Sequence, residues 1–152
     1  MRQVTFVCTG NVCRSAAAEA ILKDMVRLSK MTDVVVNSVG IDDIGSQPRD
    51  AIMAGIAKEY GYVMEGRSQV MTREVLERAD LIIVMTFAHK FKLESFLPSE
   101  YWNRIHLFME YCFGLEVPID DPTFMPESIY RETFERLVRG CKVIVDRLKQ
   151  GV

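Results

Sequence analysis

Several features that mark special classes of protein are missing from this chain of 152 residues. No apolar run reaches the roughly 18 residues of a membrane-spanning helix, and the first residues lack the apolar stretch of a signal peptide. The charges nearly cancel, with 19 Lys and Arg against 21 Asp and Glu, so charge alone would not hold a nucleic acid. We therefore expect a soluble, cytoplasmic protein that binds neither a membrane nor nucleic acid.

Residues that bind metals or form disulfides are also scarce. The chain has two histidines, which stand alone, and four cysteines. Cys8 and Cys13 are followed by no second pair at the spacing of a zinc finger, and a disulfide framework belongs to secreted chains. We predict no metal site and reduced thiols, with Cys112 and Cys141 buried among apolar neighbours.

Apolar residues, by contrast, make up 49% of the chain, enough for one domain over residues 1–152 that buries about two thirds of its unfolded surface. Apolar strand patterns alternate with helical ones. Strands are predicted at 4–8, 34–37, 81–85 and 105–108. Helices are predicted at 15–28, 48–60, after Thr72, at 88–96 and at 127–149. This alternation predicts an α/β fold in which helices cover both faces of a parallel sheet.

The first strand runs into a turn that suits an oxyanion. Residues 8–15 read Cys-Thr-Gly-Asn-Val-Cys-Arg-Ser and link a strand to a helix. Backbone N–H groups and the helix dipole converge in such a turn, and Arg14 adds a planar fork for two phosphate oxygens. Gly10 and Asn11 tolerate the positive φ that such loops often need. Ligands of parallel sheets bind beyond the carboxyl ends of the strands, which is where Cys8 lies.

The same positive potential favours the thiolate form of Cys8. A thiolate that faces a bound phosphorus is a nucleophile for covalent phosphoryl transfer, and Ser15 can donate a hydrogen bond to its sulfur. The turn lacks the Gly-Lys-Ser/Thr of the nucleotide P-loop and the three glycines of the dinucleotide motif. A strand, C-x5-R-S and a helix therefore indicate a phosphate-ester site; a buried cysteine beside an incidental arginine is the alternative.

Hydrolysis of a phosphate ester also needs an acid that protonates the leaving oxygen. The best candidate is the loop with Asp120, Asp121 and Pro122, because two adjacent aspartates disfavour ionising together. Taken alone, this sequence has the composition of an ordinary acidic turn. With Cys8 and Arg14 present, we interpret it as the source of the acid.

These residues resemble the low-molecular-weight protein tyrosine phosphatase family over essentially the whole chain. The likeness rests on the signature loop at 8–15, Asn-Ser-Val-Gly at 37–40, the strand at 79–86 and Asp-Pro at 121–122. It implies a three-layer α/β/α sandwich around a four-stranded parallel sheet. It also implies hydrolysis of phosphotyrosine and small aryl phosphates through a phosphocysteine intermediate. The substrate would be a phosphorylated protein or peptide, phosphate and sulfate would compete, and no cofactor or metal is implied. The oligomeric state stays open.

The resemblance also implies residue roles. Cys8 attacks phosphorus, Arg14 and the loop amides hold its oxygens, and Asp121 is the general acid and then the base that activates water. The phosphate-binding loop consists of Thr9, Gly10, Asn11, Val12, Cys13 and Ser15.

Other positions have supporting roles by the same resemblance. Asn11 holds the shape of the loop with help from Ser38, Ser15 stabilises the thiolate, and Cys13 is the candidate redox partner that traps an oxidised nucleophile as a reversible disulfide. The candidate substrate walls are Ile41 and Phe124.

The sequence departs from the family pattern at several points. Ala16 replaces the usual proline, and the His that often supports the loop is missing near Gly66. Thr123 follows the Asp-Pro pair where the tyrosine phosphatases usually carry an aromatic residue, and the loop 41–44 lacks the aromatic of the opposite wall.

Three activities share this fold. Val12 is apolar, as the Ile of the tyrosine enzymes is, whereas the arginine branch tends to carry Thr there; this favours phosphotyrosine. The segment 104–111 resembles the arginine branch, so a protein-arginine phosphatase is the alternative. Arsenate reduction would require cysteines that residues 85–88 lack. A phosphate-binding module without turnover is a further alternative, although the catalytic residues are all present.

Overall fold

The computed structural model describes residues 1–151, which form a parallel sheet with helices on both faces. The strands are β1 (Arg2–Cys8), β2 (Val34–Gly40), β3 (Leu81–Val84) and β4 (Ile105–Leu107). The α-helices are α1 (Arg14–Leu28), α2 (Ala51–Glu59), α3 (Arg73–Arg78), α4 (Phe87–Phe96), α5 (Phe108–Phe113) and α6 (Glu127–Lys149), and a 3₁₀ helix spans Ser99–Arg104. The predicted three-layer α/β/α fold with a four-stranded parallel sheet is confirmed.

The strand order is β2-β1-β3-β4, and every neighbouring pair is parallel. β1 therefore lies inside the sheet, and its last residue, Cys8, pairs with Gly40 at the end of β2. Alternate residues of β1 face opposite layers: Phe6 joins the core under α1, α5 and α6, whereas Val7 joins the core under α3 and α4. Burial on both faces explains why the strands read as continuous apolar runs.

The sequence pattern locates most elements, and α6 has the predicted bounds. The prediction that a helix begins at Pro48 is wrong, because the side chain of Asp50 accepts a hydrogen bond from the N–H of Met53 and caps α2 there. Pro48 forms an isolated bridge with Arg67 instead. β2 extends beyond the predicted residue 37 as far as Gly40.

The prediction that β4 continues to residue 108 is also wrong. Phe108 begins α5, which was not predicted, and neither was the 3₁₀ helix before β4. α5 packs closely against α6 at Gly140, where a Cβ would clash with the ring of Phe108. None of the helices in residues 1–151 has both the length and the apolar character that a membrane span requires.

Candidate active site

The predicted phosphate loop occupies the segment between β1 and α1 and rests against the end of β2. A Cβ on Gly40 would lie 2.9 Å from both the carbonyl carbon of Gly10 and the carbonyl oxygen of Thr9, so only glycine permits this approach. Asn11 adopts a positive φ of 59°, as predicted for it, whereas Gly10 does not. The space beside Gly10 is instead limited by Ile44, whose Cδ1 would lie 3.2 Å from a Cβ at that position.

The interior of the loop presents backbone donors. The N–H groups of residues 10–13 donate to no backbone carbonyl within the described part of the chain. α1 begins directly after Cys13 and has no side-chain cap at this end, so the first N–H groups of the helix are also left without a capping side chain. Free N–H groups together with the positive end of a 15-residue helix make an anion site.

The sulfur of Cys8 lies at the base of this loop, buried, with the hydroxyl of Ser15 at 2.9 Å. The amide of Asn11 donates to that hydroxyl, also at 2.9 Å. Because the Ser15 oxygen accepts from Asn11, its own proton is free to point at the sulfur. This orientation is the one that stabilises a thiolate.

Asn11 uses all the hydrogen-bonding positions of its side-chain amide. Its nitrogen donates to Ser15 and, at 2.8 Å, to the hydroxyl of Ser38. Its oxygen accepts from the backbone N–H of Gln69 at 3.0 Å and from Arg49 at 3.2 Å. A fully satisfied buried amide fixes the loop strongly.

Arg49 was missed by the sequence analysis. Its guanidinium also donates to the backbone carbonyl of Asn11 and, at 3.0 Å, to that of Glu65. Its Nη2 lies 3.5 Å from the position that a Cβ on Gly66 would occupy. This is the neighbourhood in which the family often carries a His. Burial lowers the pKa of Arg49, and the nearby carboxylate of Glu19 opposes that shift. No local sequence signal distinguishes this arginine from one in an ordinary turn.

Arg14 joins the phosphate loop to the acid loop. Its side chain is 4% exposed, and Nη1 donates to the carbonyl of Ile119 at 3.0 Å. Nη2 lies 3.9 Å from Oδ2 of Asp121 and 3.4 Å from the hydroxyl of Thr9. The same loop is tied to the end of β3, because the N–H of Ile119 donates to Met85 at 2.9 Å.

The structure distinguishes the two adjacent aspartates. Asp121 lines a cleft of about 380 Å³ together with Thr9 and Arg14, whereas Asp120 does not. One oxygen of Asp121 accepts from the N–H and the hydroxyl of Thr123, at 3.0 and 2.6 Å. Its other oxygen is the one near Arg14, and about half of the side chain is exposed. That oxygen is therefore available to a leaving group.

The predicted substrate walls lie in different places. Ile41 lines the cleft. Phe124 has a φ of 68° and is fully exposed, and it is not a lining residue. Val12 is half-buried against the core instead of in the cleft wall. Lining residues that the sequence analysis did not single out are Asp42, Thr86, Ala88, His89 and Lys92.

Burial makes the thiols of the other three cysteines weaker acids than an ordinary thiol. Burial, followed by the charges of Asp50 and Cys8, raises the pKa of Cys13 far above that of an ordinary thiol. Burial also raises the pKa of Cys112 to about 12 and strongly raises that of Cys141. All four are buried and free, and these three thiols stay protonated at neutral pH.

The family follows from a match over nearly the whole length. The model of the low molecular weight phosphotyrosine protein phosphatase family matches residues 3–152. The chain belongs to this family. It is accordingly a phosphatase, a hydrolase of phosphoric monoesters.

Two activities occur among the relatives of this phosphatase. The chain is 30% identical to a probable low molecular weight protein-tyrosine-phosphatase, EpsP, of Ralstonia nicotianae, over 98% of this chain and 97% of that one. It is also 30% identical to a protein-arginine-phosphatase of Bacillus subtilis, over 97% of each. A low molecular weight phosphotyrosine phosphatase of Vibrio cholerae has a similar structure, with a TM-score of 0.92, 29% identity and full coverage of both chains.

Proposed function

We propose that this phosphatase hydrolyses phosphotyrosine in proteins or peptides, and small aryl phosphates, through a phosphocysteine at Cys8. The observation that carries the proposal is the position of the Cys8 sulfur. It lies at the base of a loop of free N–H groups, with a hydroxyl donor at 2.9 Å. The loop also contains Arg14, which lies beside the carboxylate of Asp121.

The first step transfers the phosphoryl group to sulfur. The loop N–H groups and Arg14 bind the non-bridging oxygens and stabilise their charge in the transition state. The Cys8 thiolate attacks phosphorus, so that an S–P bond forms while the ester P–O bond breaks. The carboxyl of Asp121 gives its proton to the departing phenolic oxygen, which leaves as the neutral alcohol.

The second step returns the enzyme to its starting state. The carboxylate of Asp121 takes a proton from water, and the water oxygen attacks phosphorus. The S–P bond breaks, inorganic phosphate forms, and Cys8 leaves as a thiolate. The hydroxyl of Ser15 stabilises this leaving thiolate, because its proton points at the sulfur.

Phosphoarginine is the second candidate substrate, and a specific residue favours it. Ile41 gives the cleft an apolar wall suited to a phenyl ring, whereas the adjacent Asp42 adds a carboxylate that suits a guanidinium. The two activities are separated by kcat/KM on matched phosphotyrosine and phosphoarginine peptides. We expect the higher value for phosphotyrosine; a large preference for phosphoarginine would make the second candidate the correct one.

Substitutions of the nucleophile and the acid test the mechanism. We expect Cys8→Ser to abolish turnover of an aryl phosphate and to retain phosphate binding. We expect Asp121→Asn to lower kcat by about 10²- to 10⁴-fold, the usual contribution of a general acid, and most for poor leaving groups. Asp120→Asn is the matched control and should retain most activity. Greater damage from Asp120→Asn would assign the acid to that residue instead.

A further inference from the structure

His89 is a buried residue in the first turn of α4, 5% exposed, whose ring is bonded on both sides. Nδ1 lies 3.2 Å from the backbone nitrogen of Thr86, and Nε2 lies 2.9 Å from the hydroxyl oxygen of Thr9. The mechanism above uses neither contact. Thr9 and His89 are 80 residues apart in sequence, so the second contact joins α4 to the phosphate loop.

The first contact determines the tautomer of the ring. A backbone N–H can only donate, so Nδ1 accepts from Thr86 and carries no proton. A neutral ring then has its proton on Nε2, which donates to the hydroxyl oxygen of Thr9. Burial, assisted by the charge of Arg14, lowers the pKa of His89 to about 4, which keeps the ring neutral near pH 7.

The hydroxyl of Thr9 is oriented as a result. Its oxygen accepts from His89 and also faces Nη2 of Arg14 at 3.4 Å. A hydroxyl has two acceptor positions and one proton. When His89 and Arg14 use the acceptor positions, the proton of Thr9 is free to bond a group bound in the cleft that all three residues line.

We propose that His89 is a positioning residue that makes the Thr9 hydroxyl an additional donor to the bound phosphoryl group. The inference rests on the proposed function of the loop as a phosphate site. His89 has no contact with phosphate in this scheme and acts through Thr9. Because Thr9 also touches Arg14, the same contact holds that guanidinium beside the loop.

The test compares two replacements of the ring and one of the hydroxyl. His89→Gln can accept from the N–H of Thr86, as glutamine does in a capping box, and can donate to Thr9. His89→Leu fills the space and removes both contacts, and Thr9→Val removes only the hydroxyl. We expect His89→Leu and Thr9→Val each to weaken inhibition by inorganic phosphate and lower kcat/KM for an aryl phosphate about 10- to 100-fold, as loss of a charge-assisted hydrogen bond does. His89→Gln should restore most of both.

The double variant separates positioning from general damage to the fold. If His89 acts through Thr9, His89→Leu should have almost no further effect in the Thr9→Val background. An equal loss in both backgrounds, or unchanged phosphate affinity in His89→Leu, would overturn the proposal. If His89→Leu does not fold, Thr9→Val and His89→Gln still test the proposal. Wild-type phosphate affinity in Thr9→Val would overturn the proposal as well. His106→Gln, at the other histidine, is the control and should behave like wild type.

Phosphate binding is measured separately from turnover, by calorimetry with inorganic phosphate on Cys8→Ser. A wild-type protein that binds phosphate and does not hydrolyse aryl phosphates contradicts the proposed function. In that case the binding losses of the His89 and Thr9 variants still test the role of His89.

Discussion

The buried guanidinium of Arg49 stabilises the phosphate loop. It bonds both the carbonyl and the side chain of Asn11, which in turn positions the hydroxyl that faces Cys8. The chain therefore keeps a support for the loop although the family's usual His is missing. The support comes from a different side chain, which approaches from the segment before α2.

Replacement of Arg49 should reduce activity, although Arg49 acts on the loop through Asn11 and not through the sulfur of Cys8. We expect Arg49→Met to lower kcat/KM about 10-fold or more, because the backbone carbonyl of Asn11 loses its donor and the loop is less firmly held. Arg49→Lys should recover only part of the lost activity, since one ammonium cannot reproduce the hydrogen bonds of the planar guanidinium. The measurement is steady-state hydrolysis of an aryl phosphate. Arg73→Met, which breaks an exposed pair with Glu77, is the control and should change little.

The contrast among the thiols predicts selective alkylation. Cys13, Cys112 and Cys141 have raised pKa values and remain protonated near pH 7, whereas Cys8 has a hydroxyl donor at its sulfur. We expect iodoacetamide at pH 7 to label Cys8 alone in the native protein and saturating phosphate to slow the labelling. Peptide mass spectrometry gives the site. Preferential labelling of Cys13 would mean that the nucleophile is misassigned.

Most long or capped helices were predicted, although the capped start of α2 at Asp50 was missed. α6 shows its apolar stripe over 23 residues, and Thr72 caps α3 by accepting from the N–H of Val75. α5 and the 3₁₀ helix have six residues each, which is too short for a helical period to appear. The apolar residues at the start of α5 follow directly on the apolar residues of β4. The sequence therefore contains no signal that marks where the strand ends and the helix begins.

The site was predicted only in part, because its supports come from distant segments. Cys8, Ser15 and Arg14 belong to one local motif, so the sequence alone could single them out as candidates. The contact of Asn11 with Arg49 spans 38 residues, and that of Arg14 with Ile119 spans 105. These contacts form because the order of the strands brings distant segments together. The local sequence pattern does not specify that order, so it could not predict the contacts.

The end of β2 should not tolerate a side chain at Gly40. We expect Gly40→Ala to lower kcat/KM at least about 10-fold, because the new Cβ would lie 2.9 Å from loop backbone and push the loop away from its position. Gly55→Ala is the matched control, since nothing lies within 4 Å of its Cβ. Its helical position should make that variant slightly more stable. Wild-type activity in Gly40→Ala would show that the loop tolerates displacement.

Gly140 lies within α6, where alanine is normally the better residue by about 1 kcal/mol. A Cβ there would clash with the ring of Phe108, which is fully buried. We expect Gly140→Ala to destabilise the protein by about 1–3 kcal/mol, the usual cost of overpacking a core. Chemical denaturation gives the free energy of unfolding, and an increase in stability would contradict the packing argument.

For the molecule as a whole, anion binding should raise the resistance to unfolding. The site combines residues that are far apart in sequence, such as Arg14 and Asp121, so it exists only in the folded state. A ligand at 100 times its Kd then adds about 2.7 kcal/mol to the free energy of unfolding. We expect phosphate and sulfate to raise the Tm, and chloride at equal ionic strength to have little effect. Arg14→Met should remove most of the difference between these anions. A Tm that responds only to ionic strength would contradict a specific site.

The bond between Arg14 and the carbonyl of Ile119 joins segments that lie 105 residues apart. The loop with Cys8 and the loop with Asp121 therefore come together only when the whole segment between them has folded. A single cut in that segment would leave the sulfur on one fragment and the carboxylate on the other, and neither fragment alone would contain both groups.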